Sequence, residues 1–216
     1  MRKKLIIFDL DGTLINTVYD LNASVNYALN KLNYPIRTIQ QTTNDIGNGV
    51  PKLIERSIPN GLDNKDYDEC LRIFKEHYLK HYFDKSRPYP GVKELMVELK
   101  ARGYLLAVVS NKFDEGAKKL VNHYYENLFD HIQGSLDNLR KKPYRDLVDL
   151  TLSTLKVDNK DALYVGDTEV DYLTAINSHL DCVLVTYGYR TKTQLLEKTK
   201  NTSFIDVPIE LLNYLD

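Results

Sequence analysis

Two aspartates follow directly on a short apolar run near the start of the chain. The run Leu5 to Phe8 is β-rich and bounded by charged residues, as is typical of an inner strand that is buried on both faces. Asp9 and Asp11 come where this strand would end, and because side chains alternate along an extended chain, both carboxylates should face the same side. Two carboxylates about 4 Å apart repel by roughly 4 kcal/mol at an effective dielectric constant near 20. The pair therefore predicts a bound cation.

Three further segments place polar residues where a predicted strand ends or a predicted helix begins. They contribute Ser110, Asn111 and Lys112 in VVSNK, Lys142 in RKKPYRDL, and Asp167 and Asp171 in YVGDTEVD. Each segment alone has an ordinary interpretation, as solvated surface, as a turn, or as the cap of a helix. The ligands of an open parallel sheet bind beyond the carboxyl ends of its strands, where all these groups belong. Together the segments indicate one site. Hard carboxylate oxygens, few in number, suit Mg²⁺ better than zinc or a calcium site built wholly from protein ligands.

Strand and helix patterns alternate along most of the chain. Apolar, β-rich runs predict strands at Leu5 to Phe8, Leu105 to Val109, Ile132 to Gly134, Leu163 to Val165, Val183 to Val185 and Phe204 to Ile205. The helical spacing of apolar residues from Val92 predicts a helix that ends before Gly103. Such alternation is typical of an α/β fold with a doubly wound, Rossmann-like parallel sheet and helices on both faces.

The interval between the first strand and Pro88 interrupts this alternation. It holds about seventy residues, more than a connection in a compact domain carries without structure of its own. One helical face comprises Leu21, Val25, Ala28, Leu29 and Leu32, and a second comprises Tyr67, Leu71, Phe74, Tyr78 and Tyr82. We therefore predict a small helical domain at residues 16–83, inserted into a core formed by residues 1–15 and 84–216, with linkers near Ile15 to Val18 and in RPYPG, Arg87 to Gly91.

The segments FDLDGT, VVSNK, KKP and GDTEVD resemble, in this order, the motifs of the haloacid dehalogenase superfamily of phosphohydrolases. The resemblance covers nearly the whole chain, and the position of the insertion is similar to that of the helical (C1-type) caps of phosphoglycolate phosphatases and their relatives. It implies that Asp9 and Asp167 bind Mg²⁺ directly, together with the backbone carbonyl of Asp11. Asp171 would then orient waters or Lys142.

The same resemblance implies a two-step phosphoryl transfer. Asp9 would attack the phosphorus of a monoester to give an aspartyl-phosphate, while Asp11 would protonate the leaving alkoxide and then activate water. Lys142 and Mg²⁺ would carry much of the phosphoryl charge. The expected phosphate-binding residues are Gly12, Thr13, Ser110 and Asn111. Dehalogenases of the superfamily lack the second acid, so Asp11 favours phosphate chemistry.

Within the helical insertion, IGNGVPKLIER resembles the substrate-specificity loop of phosphoglycolate phosphatases. Gly47, Asn48 and Gly49 would then reach the substrate, although two glycines flanking an asparagine also make a good turn and helix start without any ligand. Arg56 would pair with a substrate carboxylate or be a solvated helix arginine. Both alternatives stay open at this point.

The leading hypothesis is a Mg²⁺-dependent phosphatase for a small phosphomonoester, with 2-phosphoglycolate as the first choice. A pyrophosphatase, a nucleotidase or a β-phosphoglucomutase-like enzyme would carry the same four motifs. Asn16-Thr17, where Asp-Ser is often found in the family, is one of several departures that bear on the substrate and leave the catalytic groups intact. The alternative from another class is a non-catalytic phosphate-binding regulatory protein on the same scaffold.

The composition restricts the partners and the location. Lys and Arg total 29 and Asp and Glu 30, so we expect no nucleic-acid partner. Cys70 and Cys182 are too few for a disulfide framework, and the apolar run after residues 2–4 stops at Asp9, short of an export signal or a membrane helix. We therefore expect a cytoplasmic monomer or weak homodimer that acts on a small phosphorylated metabolite.

Overall fold

The computed structural model describes residues 3–215 and divides the chain into two compact units. The first unit runs up to Ile15 and continues from Pro88 onward, and the second spans Asn16–Arg87. Among residues 3–215, no helix combines the length and the apolar character that crossing a lipid bilayer requires.

The elements alternate between strand and helix, except in the second unit. The strands are β1 (Leu5–Phe8), β2 (Ile15–Asn16), β3 (Arg87–Pro88), β4 (Leu105–Phe113), β5 (His131–Ser135), β6 (Ala162–Gly166), β7 (Asp181–Val185) and β8 (Ser203–Ile205). The α-helices are α1 (Val18–Lys31), α2 (Ile39–Asp45), α3 (Val50–Ser57), α4 (Tyr67–His81), α5 (Val92–Ala101), α6 (Asp114–Tyr124), α7 (Asp146–Leu155), α8 (Glu169–Asn177) and α9 (Lys192–Lys198). Short 3₁₀-helices cover Gly61–Asp63, Asn159–Asp161 and Pro208–Tyr214.

A six-stranded parallel sheet lies at the centre of the first unit, in the order β5-β4-β1-β6-β7-β8. After β1 the chain builds outward through β4 and β5, and then returns to the other side of β1 with β6. This reversal of direction beside β1 is the topological switch point at which doubly wound sheets bind ligands. The predicted Rossmann-like sheet is confirmed.

β1 is an inner strand because its sequence is apolar on both faces. Leu5 pairs with Leu105 of β4 on one side and with Ala162 of β6 on the other, and all four residues of β1 are buried. The core around the strand includes Ile7, Val109, Leu147, Leu152 and Ala175. Each fully buried apolar side chain of this kind contributes about 1.5–3 kcal/mol, so the end of β1 is held firmly in place.

The predicted strands are present, each with bounds close to those expected. β4 differs most, because it continues to Phe113 past its predicted end at Val109. Its register against β5 shifts between these two residues. Ser110, Asn111 and Lys112 therefore belong to the irregular last part of a strand and not to a turn after it.

The second unit is helical, and α1 packs against α4. The side chains that the two helices bury include Val25, Ala28 and Leu29 of α1 and Cys70, Phe74 and Tyr78 of α4. On α4 the buried face is rotated from the predicted one, because Cys70 is buried while Tyr67 and Leu71 are only partly so.

The second unit ends after Arg87, which lies beyond residue 83 and at the start of the predicted RPYPG linker. The reason lies in Asp20 of α1, whose buried carboxylate accepts hydrogen bonds from the backbone N–H of Lys85 at 2.9 Å and of Ser86 at 2.8 Å. The hydroxyl of Ser86 donates to the same carboxylate at 2.7 Å. These bonds hold residues 84–87 to α1, so the segment stays with the helical unit.

Candidate active site

Asp9 and Asp11 lie at the carboxyl end of the central strand, beside the switch point. The backbone N–H of Asp9 donates to the carbonyl oxygen of Val165 at 2.9 Å, which extends the pairing of β1 with β6 by one residue. The side chain of Asp9 is 10% exposed and that of Asp11 is 15% exposed. Both carboxylates are therefore largely shielded from solvent.

Lys142 brings a positive charge to Asp9. Its Nζ lies 2.7 Å from Oδ1 of Asp9, 2.7 Å from Oδ1 of Asp171 and 3.1 Å from the hydroxyl oxygen of Tyr164. Asn111 holds the main chain of Lys142 from both sides: its Oδ1 accepts from the lysine N–H at 2.8 Å, and its Nδ2 donates to the lysine carbonyl at 3.0 Å. The side chain of Asn111 thus ties the loop after β5 to the end of β4.

Asp167 and Asp171 form a buried acidic cluster with Asp9. One carboxylate oxygen from each of the three lies within 4.8 Å of the other two. While Oδ1 of Asp171 contacts Lys142, its Oδ2 accepts from the hydroxyl of Thr168 at 2.7 Å and from the backbone N–H of Thr168 at 3.0 Å. The capping box at the start of α8 therefore orients Asp171 toward the lysine.

Backbone and small residues enclose Asp167. Its Oδ1 accepts from the hydroxyl of Thr13 at 3.1 Å, and its Oδ2 accepts from the backbone N–H of Tyr189 at 2.7 Å. A Cβ atom on Gly12, whose φ is +99°, would come within 2.3 Å of Oδ2 of Asp167. A Cβ atom on Gly188 would come within 2.4 Å of its Cβ. Only glycines leave room for the carboxylate at this place.

The expected phosphate-binding residues do not all present a free donor. The backbone N–H of Gly12 already donates to the carbonyl oxygen of Ile15 at 2.9 Å, so the role of this glycine in the structure is to make room for Asp167. The hydroxyl of Ser110 accepts from the backbone N–H of Lys112 at 3.2 Å, which leaves its own proton for another acceptor. Ser110 is therefore better placed than Gly12 to donate to a phosphoryl oxygen.

Burial and crowding make negative charge costly in the acidic cluster. Burial raises the pKa of Asp9 to about 7 against the opposing effect of the Lys142 ammonium. Burial, and then the charges of Asp171 and Asp9, raise the pKa of Asp167 well above its usual value. Burial alone would lower the pKa of Lys142, but the charges of Asp171 and Asp9 hold it well above its usual value. The Lys142 ammonium thus balances only part of the negative charge of the three carboxyl groups in this cluster. The remaining negative charge favours a further cation.

The donor set of the cluster fits Mg²⁺. It offers carboxylate oxygens and no soft ligand, which is the donor type that Mg²⁺ prefers. Oxygens of all three carboxyl groups also accept hydrogen bonds: Asp9 from Lys142, Asp167 from Thr13 and the backbone of Tyr189, and Asp171 from Lys142 and the start of α8. Direct ligation by Asp9 and Asp167, with an orienting role for Asp171, stays a prediction.

A second lysine is buried at the same end of the sheet. The side chain of Lys112 is 2% exposed, and its Nζ lies 3.0 and 3.3 Å from the two carboxylate oxygens of Asp11. Sequence reasoning included Lys112 in VVSNK but gave it no function. The signal was available, since a lysine at the end of an otherwise apolar strand is costly unless its charge is paired.

Three other contributors were missed. Tyr164 contacts Lys142 from within β6, and Gly188 and Tyr189 line Asp167 from the segment after β7. A hydroxyl inside the buried run LYVG was a usable signal for Tyr164. Gly188 and Tyr189 act through their backbone, so their side chains carried no chemical signal.

The loop before α3 is bound to its own helix. Gly47 and Gly49 have φ angles of +123° and +83°, and Gly49 directly precedes the first residue of α3. Arg56 is exposed, and its guanidinium donates to the carbonyl oxygen of Asp45 at 2.8 Å and to Oδ1 of Asn48 at 3.1 Å. In the second unit, Gly47 and Gly49 thus form a turn and the start of α3, and Arg56 holds the loop through Asn48. Contact of these residues with a substrate stays a prediction.

Fold and site together define a class of protein, which has a doubly wound α/β core with an aspartate pair after its first strand, a lysine after β5 and an acidic turn after β6. Residues 6–185 match the family model described as haloacid dehalogenase-like hydrolase. The chain belongs to this family.

Individual relatives agree with this assignment. A phosphoglycolate phosphatase from Aquifex aeolicus is 34% identical over 187 residues, which are 86% of this chain and 86% of the relative. A phosphoglycolate phosphatase from Haemophilus influenzae is 32% identical over 211 residues, which are 94% of each chain. A crystal structure from Lactobacillus delbrueckii subsp. bulgaricus, of a protein named provisionally as a phosphoglycolate phosphatase, has a TM-score of 0.94 at 30% identity and covers 100% of this chain and 99% of its own.

Proposed function

We propose that this chain is a Mg²⁺-dependent phosphatase that hydrolyses a small phosphomonoester through an aspartyl-phosphate. The observation that carries the proposal is the contact of Asp9 with Lys142 inside a buried cluster that also holds Asp167 and Asp171. A carboxylate nucleophile beside a lysine and cation-binding acids suits phosphoryl transfer, in which positioning and neutralisation of charge do most of the catalysis.

In the proposed first step, a carboxylate oxygen of Asp9 forms a bond to phosphorus while the bond from phosphorus to the ester oxygen breaks. Asp11 gives a proton to the leaving oxygen, so the leaving group departs as a neutral alcohol. In the second step, water attacks the phosphorus of the aspartyl-phosphate and gives a proton to Asp11. Phosphate departs, and the carboxylate of Asp9 is restored.

The remaining groups hold the phosphoryl group and its charge. Lys142 and the hydroxyl of Ser110 would bind the transferring oxygens, and Asp171 would hold Lys142 in position. Mg²⁺, bound by Asp9, Asp167 and the backbone carbonyl of Asp11, would supply additional positive charge to the phosphoryl oxygens. Thr13 and the backbone near Asn111 complete the proposed phosphate-binding set.

The substrate that we propose is 2-phosphoglycolate, supported by the names of the relatives that are 34% and 32% identical. The second unit, Asn16–Arg87, would act as the cap domain. Gly47, Asn48 and Gly49 would form its substrate-specificity loop, and Arg56 would set the shape of that loop through its bond to Asn48. A monomer or weak homodimer located in the cytoplasm stays a prediction.

The test is a comparison of kcat/KM values for the full chain with Mg²⁺, on 2-phosphoglycolate, pyrophosphate, a nucleoside monophosphate and a hexose phosphate. We expect the highest value for 2-phosphoglycolate and a loss of at least about 10³-fold in Asp9→Asn, whose circular dichroism should match the parent. A higher value for another compound would reject the substrate alone. Full activity of Asp9→Asn would reject the nucleophile, and absence of phosphate release from the whole panel would favour a non-catalytic phosphate-binding protein.

A further inference from the structure

Lys112 is a buried charged group that the proposed reaction does not use. It lies near the end of β4, in the stretch where the register against β5 shifts. Its ammonium contacts Asp11 and its backbone N–H donates to the hydroxyl of Ser110 at 3.2 Å. Burying a lysine with 2% side-chain exposure is costly unless its charge is balanced, and Asp11 supplies an opposite charge at 3.0 Å.

The two lysines of the site serve different carboxylates. Lys142 contacts Asp9, the proposed nucleophile, and Asp171. Lys112 contacts both carboxylate oxygens of Asp11, the proposed acid and base, at 3.0 and 3.3 Å. The charge proposed to bind the phosphoryl group thus comes from the loop after β5, and the charge that pairs with the proton-transfer group comes from the last part of β4.

We propose that Lys112 is a positioning residue for Asp11. The side chain of Asp11 is 15% exposed, and the χ1 torsion of an aspartate has three staggered wells in principle. A buried ammonium that contacts both of its oxygens selects one rotamer and keeps the carboxyl group where the ester oxygen leaves. The inference rests on the proposed function, since it assumes that Asp11 transfers the proton.

The positioning of Asp11 by Lys112 has a specific chemical consequence. The proton moves from Asp11 to the leaving oxygen while the bond from phosphorus to that oxygen breaks and the bond to Asp9 forms. A poor leaving group needs this proton, whereas p-nitrophenolate departs readily without it. Misplacing Asp11 should therefore harm substrates in proportion to how poor their leaving group is, and a general loosening of the site would harm all of them alike.

The experiment compares phenyl phosphate with p-nitrophenyl phosphate, which have similar shapes and different leaving groups. In Lys112→Met, which keeps the length of the side chain but removes the charge, we expect kcat/KM to fall about 10²-fold for phenyl phosphate and less than about 5-fold for p-nitrophenyl phosphate. Lys112→Arg keeps the charge and should restore part of the loss, and it provides the same comparison if Lys112→Met does not fold. Lys142→Met is the reference, because Lys142 is proposed to bind the phosphoryl oxygens, and this variant should lose activity on both esters.

A double variant makes the assignment to Asp11 specific. Adding Lys112→Met to Asp11→Asn should cause less than about 3-fold further loss on phenyl phosphate, because the group that Lys112 positions no longer transfers a proton. Equal losses on the two esters in the single variant, or a full additional loss in the double variant, would overturn the inference while leaving the phosphatase intact. If the proposed function itself is wrong, the outcome is different, because the parent protein would then release phosphate from neither ester.

Discussion

The hydroxyl oxygen of Tyr164 lies 3.1 Å from Nζ of Lys142. The same oxygen lies 3.3 Å from the carbonyl oxygen of Val109, and burial raises the pKa of Tyr164 well above its usual value, so the phenol keeps a proton to donate. Tyr164 can therefore accept from the lysine while it donates to β4. This bond gives the Lys142 ammonium a third partner besides Asp9 and Asp171.

Removal of this hydroxyl should weaken activity more than stability. In Tyr164→Phe we expect about 1 kcal/mol of lost unfolding free energy and a kcat that falls by about 10-fold, because Lys142 loses a partner that holds it toward Asp9. Tyr104→Phe is a matched control, since its buried hydroxyl donates to the carbonyl oxygen of Leu215 at 3.3 Å. Urea unfolding and steady-state kinetics measure both. An equal effect of the two variants on kcat would contradict a positioning role for Tyr164.

Lys142 should matter for stability as well as for turnover. In Lys142→Met, Asp9 and Asp171 lose their shared ammonium while they remain buried, and breaking a buried ion pair in this way costs about 3–5 kcal/mol. We expect kcat to fall by at least about 10²-fold, the usual loss when a group that stabilises the transferring charge is removed.

Lys118→Met is the control for this variant. Lys118 is also paired, with Asp114 at 2.6 Å, but its side chain is 52% exposed. A pair of this kind contributes about 0–1 kcal/mol. Measurement of urea unfolding for both variants decides the point, and similar losses of stability would mean that the ion pairs of Lys142 contribute no more than a surface pair.

Metal removal should abolish turnover and lower thermal stability together. Addition of Mg²⁺ after treatment with a chelator should restore phosphate release and raise the melting temperature, because a ligand at about 100 times its Kd stabilises the folded state by about 2.7 kcal/mol. Asp167→Asn should remove this shift, since it takes one buried carboxylate from the cluster. Asp158→Asn changes an aspartate whose side chain is 76% exposed and should keep the shift. An undiminished shift in Asp167→Asn would place the metal elsewhere.

The groups of the candidate site could be predicted from the sequence because each follows an apolar run. Asp9, Ser110 and Asp167 stand at or near the ends of β1, β4 and β6, and the topology of a parallel sheet brings such ends to one edge. Strand periodicity was sufficient to place them. The function of each group still depended on the resemblance, since spacing alone predicted a cation and not a nucleophile.

What the sequence could not provide were contacts between segments far apart in the chain. The bond from the backbone of Tyr189 to Asp167 leaves no trace in residue type, since any residue but proline has that N–H. The pair of Lys112 with Asp11 depends on how far β4 continues after Val109, which the apolar pattern understated. The extension of the helical unit from residue 83 to the predicted linker at Arg87 depends on bonds of Asp20 to residues that lie 65 and 66 positions later.

Asp20 should be a main determinant of the stability of the second unit. In Asp20→Asn, an amide replaces a carboxylate that accepts from two backbone N–H groups and the hydroxyl of Ser86, so its NH₂ group would face donors. We expect a loss of about 2–3 kcal/mol in unfolding free energy. Ser86→Ala removes one of the donors and should cost about 1 kcal/mol. Urea unfolding gives both values, and a loss in Asp20→Asn no larger than that in Ser86→Ala would contradict this role.

His131, the first residue of β5, should make stability depend on pH. Its Nε2 is buried without a hydrogen-bond partner, and burial lowers the pKa of His131 against the opposing effect of a hydrogen bond with Gln133. The unfolded chain therefore protonates this histidine more readily than the folded one as the pH falls below about 6.5, so the contribution of His131 to the unfolding free energy should fall between pH 7.5 and pH 5. Burial also lowers the pKa of His77, which acts in the same direction. The raised pKa values of Asp9 and Asp167 act in the opposite direction over this range, so the test is the difference between each variant and the parent. Relative to the parent, the urea midpoint of His131→Asn should rise as the pH falls, and that of His131→Asn combined with His77→Asn should rise further. A difference from the parent that does not change with pH in the double variant would contradict a role for these histidines.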